Sequence, residues 1–166
     1  MKRLALGMAL CLATACGPWG PLGMLAGGPF LGSASGDPVP DWSFTDDHML
    51  IGIETRGAWF RHSVTILCVS EHGKLYVMAR HAPTKRWVQN MGRDPRVRLA
   101  IGDRLYEGRA VRLADPAEAD RVARGLLRKY VGIDAPNAHA LFGPVPAGDD
   151  HAELWAWRVD PPEPSS

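Results

Sequence analysis

Apolar residues along this chain fall into short runs of strand length, interrupted by polar turns, and into one long pattern of helical period. Residues 49–54 form a short apolar run, and 63–70 form a β-branched and apolar one. Glu71, His72 and Gly73 then turn the chain into a third run, 74–79. Two such runs around a short glycine-containing turn predict a hairpin. Residues 96–101 alternate at period two through Val97, Leu99 and Ile101, and Gly102-Asp103 is a tight-turn dipeptide leading into a partner strand, 104–113. A last strand spans 153–159, with Leu154, Trp155, Ala156 and Trp157 at its centre.

The helical pattern occupies Pro116–Val131. Asp115 suits the N-cap, proline suits the first helical position, and Glu118 complements the dipole. Ala119, Val122, Ala123, Leu126, Leu127 and Tyr130 share one face, and Gly132 supplies the stop. A shorter helix is predicted over 84–92, ending before Asp94-Pro95. Six hairpin-connected strands with inserted helices predict a mainly β fold with helices, a six-stranded antiparallel barrel closed or nearly so.

The amino terminus has another character. Met1-Lys2-Arg3 is a basic start, and residues 4–15 are apolar and uncharged. That run would span about 18 Å as a helix, too short for a hydrocarbon core of about 30 Å, so 1–15 reads as a signal peptide. It ends Ala13-Thr14-Ala15-Cys16, resembling the lipobox of bacterial lipoproteins. Cys16 is therefore the expected lipidation site, although Ala13 stands where a leucine is usual; an ordinary signal peptide cut after Ala15, with Cys16 incidental, and a retained anchor are the alternatives. The expectation is an exported protein on the periplasmic or cell-surface face of a membrane, touching it only through that lipid. From 17 to 40 the chain holds seven glycines and five prolines, the composition of a flexible tether; the alternative is that its apolar residues, Phe30 among them, cover a groove on the domain or skim a membrane surface. The folded domain is expected over 41–160, with 161–166 a disordered tail.

Charge and cysteine content narrow the function. Removing Lys2 and Arg3 leaves 17 basic residues against 18 acidic, no field to attract nucleic acid. Acylation of Cys16 leaves Cys68 without a disulfide partner, and its apolar surroundings mark a buried thiol. Serine-elbow, zincin, paired-cysteine and phosphate-loop motifs do not occur. The histidines at 48, 62, 72, 81, 139 and 151 show no metal-binding spacing, and each reads first as a surface residue. One cluster concentrates chemistry: Arg80, Thr84, Lys85, Arg86 and Trp87 follow a predicted strand and open the short helix. A helix start with several cations can hold a phosphate, with Thr84 as a cap. The same residues also read as a solvated basic turn over a tryptophan anchored in the core.

Over residues 51–113 the order resembles the split-barrel flavin-binding superfamily, which includes pyridoxamine 5′-phosphate oxidases and deazaflavin-dependent nitroreductases. The match rests on Ser63-Val64-Thr65-Ile66-Leu67, on Leu75-Tyr76-Val77-Met78-Ala79, on Lys85 to Met91, and on Asp94 to Leu99. Ala82-Pro83, Trp87 and Asn90 resemble the nitroreductase branch; Trp87 replaces a basic residue of the oxidases. The resemblance implies a homodimer that binds FMN, or alternatively F420, in a groove between subunits and passes hydride through the flavin to a small-molecule substrate. It places the phosphate on Lys85 and Arg86, with Arg80 and Trp87 beside them, and the ring along Ser63, Val64 and Thr65 next to Met78 and Ala79. Arg61 and His62 would touch cofactor or substrate, or simply edge the hairpin. Because some relatives on this fold bind haem, a haem protein using His62 or His81 is an alternative, as is a cofactor-free binding lipoprotein.

Overall fold

Each predicted apolar run except 63–70 becomes a single strand, and that exception organises the molecule. The computed structural model describes residues 27–132 and 154–163. Its strands are β1 (Ile51–Arg56), β2 (Arg61–Ile66), β3 (Cys68–Glu71), β4 (Lys74–Arg80), β5 (Arg96–Ile101), β6 (Arg104–Arg112) and β7 (Leu154–Asp160). The count is seven rather than six, because the run 63–70 breaks at Leu67. Residues 1–15, Cys16, His139, His151 and the loop 143–150 lie outside the described residues.

All seven strands belong to one antiparallel sheet in the order β2-β1-β5-β6-β7-β4-β3. β2 and β3 are its two edges, yet a single residue joins them in sequence. The sheet must therefore curl until its edges meet at Leu67, which makes a barrel with a seam. Only the second half of the 63–70 run enters the predicted hairpin, where Cys68 pairs with Val77 and Glu71 with Lys74. The turn itself is two residues long, and both His72 (φ 52°) and Gly73 (φ 72°) are left-handed, as a tight hairpin turn of this hand requires.

Helix α1 (Arg86–Arg93) begins later than predicted, because a short 3-10 turn, Ala82–Thr84, precedes it. It sends Trp87, Val88 and Met91 into the barrel interior beside Ile53, Leu99 and Val77. Helix α2 (Pro116–Val131) has the predicted bounds. It packs Ala119, Val122 and Leu126 against Val69, Tyr76 and Ala156 on the outer face of β3, β4 and β7.

The expected tether is docked on the domain from Gly27 onward. Gly27 exchanges backbone hydrogen bonds with Ser63 on β2, and Ser35 bonds Leu105 and Glu107 on β6. Between these points Phe30 is buried against Ala100 and Leu105. The segment is a strap across the outer face of β2, β1, β5 and β6. Its composition forbids regular structure, but its one phenylalanine finds a site because Gly52 has no side chain: a Cβ there would stand 2.7 Å from the Phe30 ring. At the other end, Glu163 of the expected tail pairs with Arg109 at 2.9 Å.

Candidate functional site

Where the sheet edges approach each other, an open groove of about 660 Å³ runs between β2, β4 and the start of α1. Val64 to Leu67 form one wall, Met78 and Ala79 the other, and Arg80, Lys85, Arg86 and Trp87 one end. Strand alternation and the corner at Leu67 present the β2 residues; the left-handed His81 (φ 50°) swings the chain out of β4 and back into α1. Eight of the ten residues expected to hold a cofactor thus share one surface.

The other two do not join them. Ser63 is buried beneath the strap, its hydroxyl donating to the Gly28 carbonyl at 2.8 Å. Arg61 reaches the outer face of the sheet and donates to Glu54 at 2.6 Å. Alternation puts Arg61 and Ser63 on the face opposite to His62 and Val64; Thr65 shares that face but reaches the groove near the corner at Leu67. Thr84 does not cap α1, because its hydroxyl donates to the His81 carbonyl at 2.8 Å and closes the 3-10 turn. Lys85 takes the N-cap position, with no side-chain cap. The first N–H groups of such a helix have no partners within it.

Among the described residues no carboxylate pairs with Lys85 or Arg86, and both are exposed. Trp87 serves two purposes: it is 5% exposed, its ring centroid lies 5.7 Å from that of Trp157, and its edge lines the groove. Burial first, and the Arg86 charge second, push the His62 imidazole below its ordinary value. His62 is thus a half-buried group near the cationic end, its protonated form disfavoured. His81 is exposed on the connection to α1.

The sequence analysis missed Glu54, a fully buried carboxylate beside a second cavity of about 500 Å³ on the outer face. Arg61 and Arg98 donate to it, the latter at 3.3 Å, and the Phe30 backbone N–H donates to its other oxygen. Arg98 also binds the Phe30 and Gly32 carbonyls. The signal lay in one charge within the otherwise uncharged Ile51-Gly52-Ile53-Glu54-Thr55. Its satisfied partners make it the fastening of the strap.

No family model and no curated protein matches this chain. Solved structures do. A conserved hypothetical protein from Mycobacterium tuberculosis superposes with a TM-score of 0.55 at 17% identity, covering 77% of this chain and 84% of that one. A pyridoxamine 5′-phosphate oxidase candidate from Listeria innocua gives 0.50 at 14% identity, covering 70% and 86%. HutZ, the haem storage protein of Vibrio cholerae, gives 0.52 at 14%, covering 72% and 86%. At these identities the likeness is one of fold: the chain is a split β-barrel.

Proposed function

We propose that this split barrel is an exported, lipid-anchored, homodimeric oxidoreductase that binds FMN in the groove between β2, β4 and α1. The observation that carries the reading is the polarity of that groove. One end presents Lys85 and Arg86 at a helix start, without acidic partners among the described residues; the walls are apolar at Val64, Ile66, Leu67, Met78 and Ala79, with Thr65 among them. A phosphate ester on a flat, largely apolar ring system has the same polarity, and the cavity lies in the size range of ligand sites. The groove is open along one side, the place for a second copy to cover.

In this reading Lys85 and Arg86 hold the phosphate and set the ligand's direction. Val64 on one wall and Met78 and Ala79 on the other pack the ring and exclude water from it, while Trp87, held by Trp157, keeps the cationic end rigid. When bound, FMN supplies hydride acceptance and donation, so the protein needs to provide only binding, orientation and hydrogen bonds. Cys16 as the acylated residue would hold the barrel at a membrane.

The test is a visible spectrum of the purified full chain before and after adding FMN; the full chain is needed because the strap belongs to the fold. Bound flavin, with affinity lowered about tenfold or more in Lys85→Ala/Arg86→Ala, is the expected result, since each charge-assisted bond contributes about 1.5–3 kcal/mol. A Soret band, or FMN binding indifferent to the double substitution, would overturn it.

A further inference from the structure

The tip of the β1–β2 hairpin, residues 57–60, has no role in the groove or the core. It is a tight turn in which the Gly57 N–H donates to the Phe60 carbonyl at 3.0 Å. A Cβ at Gly57 would stand 2.5 Å from that carbonyl oxygen, so the turn depends on glycine. This turn projects two adjacent aromatic side chains into solvent, Trp59 at 89% exposure and Phe60 at 84%. Together they present on the order of 300 Å² of mostly apolar surface, comparable with the largest patch on a typical monomer and often functional at that size. Cations surround the tip. Arg56 leads into it with its side chain 46% exposed, and lies 3.9 Å from Asp94 at the end of α1. Arg93, beside Asp94, is exposed, and so is Arg96, although it donates to both Asp94 carboxylate oxygens at 2.8 and 2.7 Å.

We propose that this tip docks on an anionic bilayer, Trp59 and Phe60 entering the headgroup layer while Arg56, Arg93 and Arg96 face lipid phosphates. Amphipathic aromatic rings favour the membrane–water interface, and neighbouring arginines favour anionic lipid. A convex two-residue tip suits a deformable surface, whereas a stable protein interface needs on the order of 1,000 Å². The proposal takes only proximity from the anchor reading. Gly27 is bonded to Ser63, on the strand that leaves this tip. The eleven residues from Cys16 to Gly27 reach at most about 40 Å, so an acylated chain keeps the tip within range of the bilayer.

The experiment uses the full chain on vesicles of phosphatidylcholine and phosphatidylglycerol with brominated acyl chains, which quench tryptophan emission on contact. Trp42, Trp87 and Trp157 are buried and Trp155 is half-buried; all samples carry Trp19→Phe, which removes the tryptophan near Cys16, so the quenching expected to be lost in Trp59→Phe is assigned to Trp59. Trp59→Ser/Phe60→Ser is expected to float less with these vesicles than the parent, and to keep its thermal midpoint because both side chains are solvated. Equal quenching in parent and Trp59→Phe overturns the proposal. So does a changed oligomeric mass in the double variant, which would assign the tip to a contact between copies. Cys16→Ser separates the two readings: undiminished membrane association with Trp59 quenching intact removes the anchor and keeps the tip. Anchored protein without Trp59 quenching does the reverse. FMN titration of the same samples tests the flavin reading independently.

Discussion

Burial holds the His62 imidazole below its ordinary value, and the Arg86 guanidinium adds to that from the first turn of α1. A histidine whose folded pKa is depressed takes up its proton at a lower pH in the fold than in the unfolded chain, where it does so at about pH 6.5. The stability linked to it is therefore complete above that pH and declines as pH falls from 6.5 through the folded value; His62→Gln is expected to remove this slope. The same side chain reports on the phosphate end of the groove. Inorganic phosphate is small enough to leave the imidazole uncovered, and its charge on Lys85 and Arg86 would oppose the Arg86 field. An NMR titration should then show the His62 pKa rise on adding phosphate, and rise without it in Arg86→Ala. A His62 pKa indifferent to phosphate would place the anion elsewhere. Lys85 and Arg86 are legible in the sequence because they are consecutive cations between a strand and a helix. Glu54 is not, because its partners stand 7, 44 and 24 residues away at Arg61, Arg98 and Phe30. A charge in an apolar run reads as a strand end until those partners are known.

Helix α2 is readable end to end because every signal in it is local. The Asp115 carboxylate accepts from the Ala117 N–H at 2.9 Å, and Gly132 closes the helix at φ 73°. Asp115→Ala should cost about 1 kcal/mol. The break at Leu67 is the opposite case, since nothing in 63–70 favours turning over continuing as a strand. What holds the corner comes from α2, more than sixty residues on. The Tyr130 hydroxyl accepts from the Cys68 N–H at 3.0 Å and lies 2.8 Å from the Cys68 carbonyl. Lys129 donates to the same carbonyl at 3.0 Å and to the Thr45 carbonyl at 2.8 Å. Tyr130→Phe leaves the buried Cys68 N–H without that acceptor, a loss of about 1–3 kcal/mol. Urea unfolding should show it as a lower midpoint at unchanged slope, with the exposed Val131→Ala as a near-neutral control. A midpoint shift no larger than the control's would mean that the corner is held by the strand pairing alone.

At the scale of the whole molecule, one residue between the two sheet edges forces the curl, the curl makes the seam, and the seam is the groove. No alternation pattern announces this, because strand order is a matter of long-range pairing. Six runs were visible, but not that one of them supplies both edges. The strap is the other feature hidden from composition. Glycine and proline content argues correctly against regular structure in 17–40, but docking needs only Phe30, the Gly52 recess and the Glu54–Arg98 fastening. If so, the strap is a layer separable from the barrel. Gly52→Val suits a strand but puts a side chain where the Phe30 ring lies, 2.7 Å from the Cβ position, with Ala100 only 3.1 Å away. Phe30 should be expelled, at the cost of burying one such side chain, about 1.5–3 kcal/mol. Hydrogen exchange should quicken at Gly27, Ser35, Ser63 and Glu107, whose amides bond across the strap, and stay slow at the β4–β7 pairs. Phe30→Ala should give the same map with β1 untouched. Exchange that quickens over all seven strands in both variants would instead make the strap an integral part of the barrel's cooperative unit.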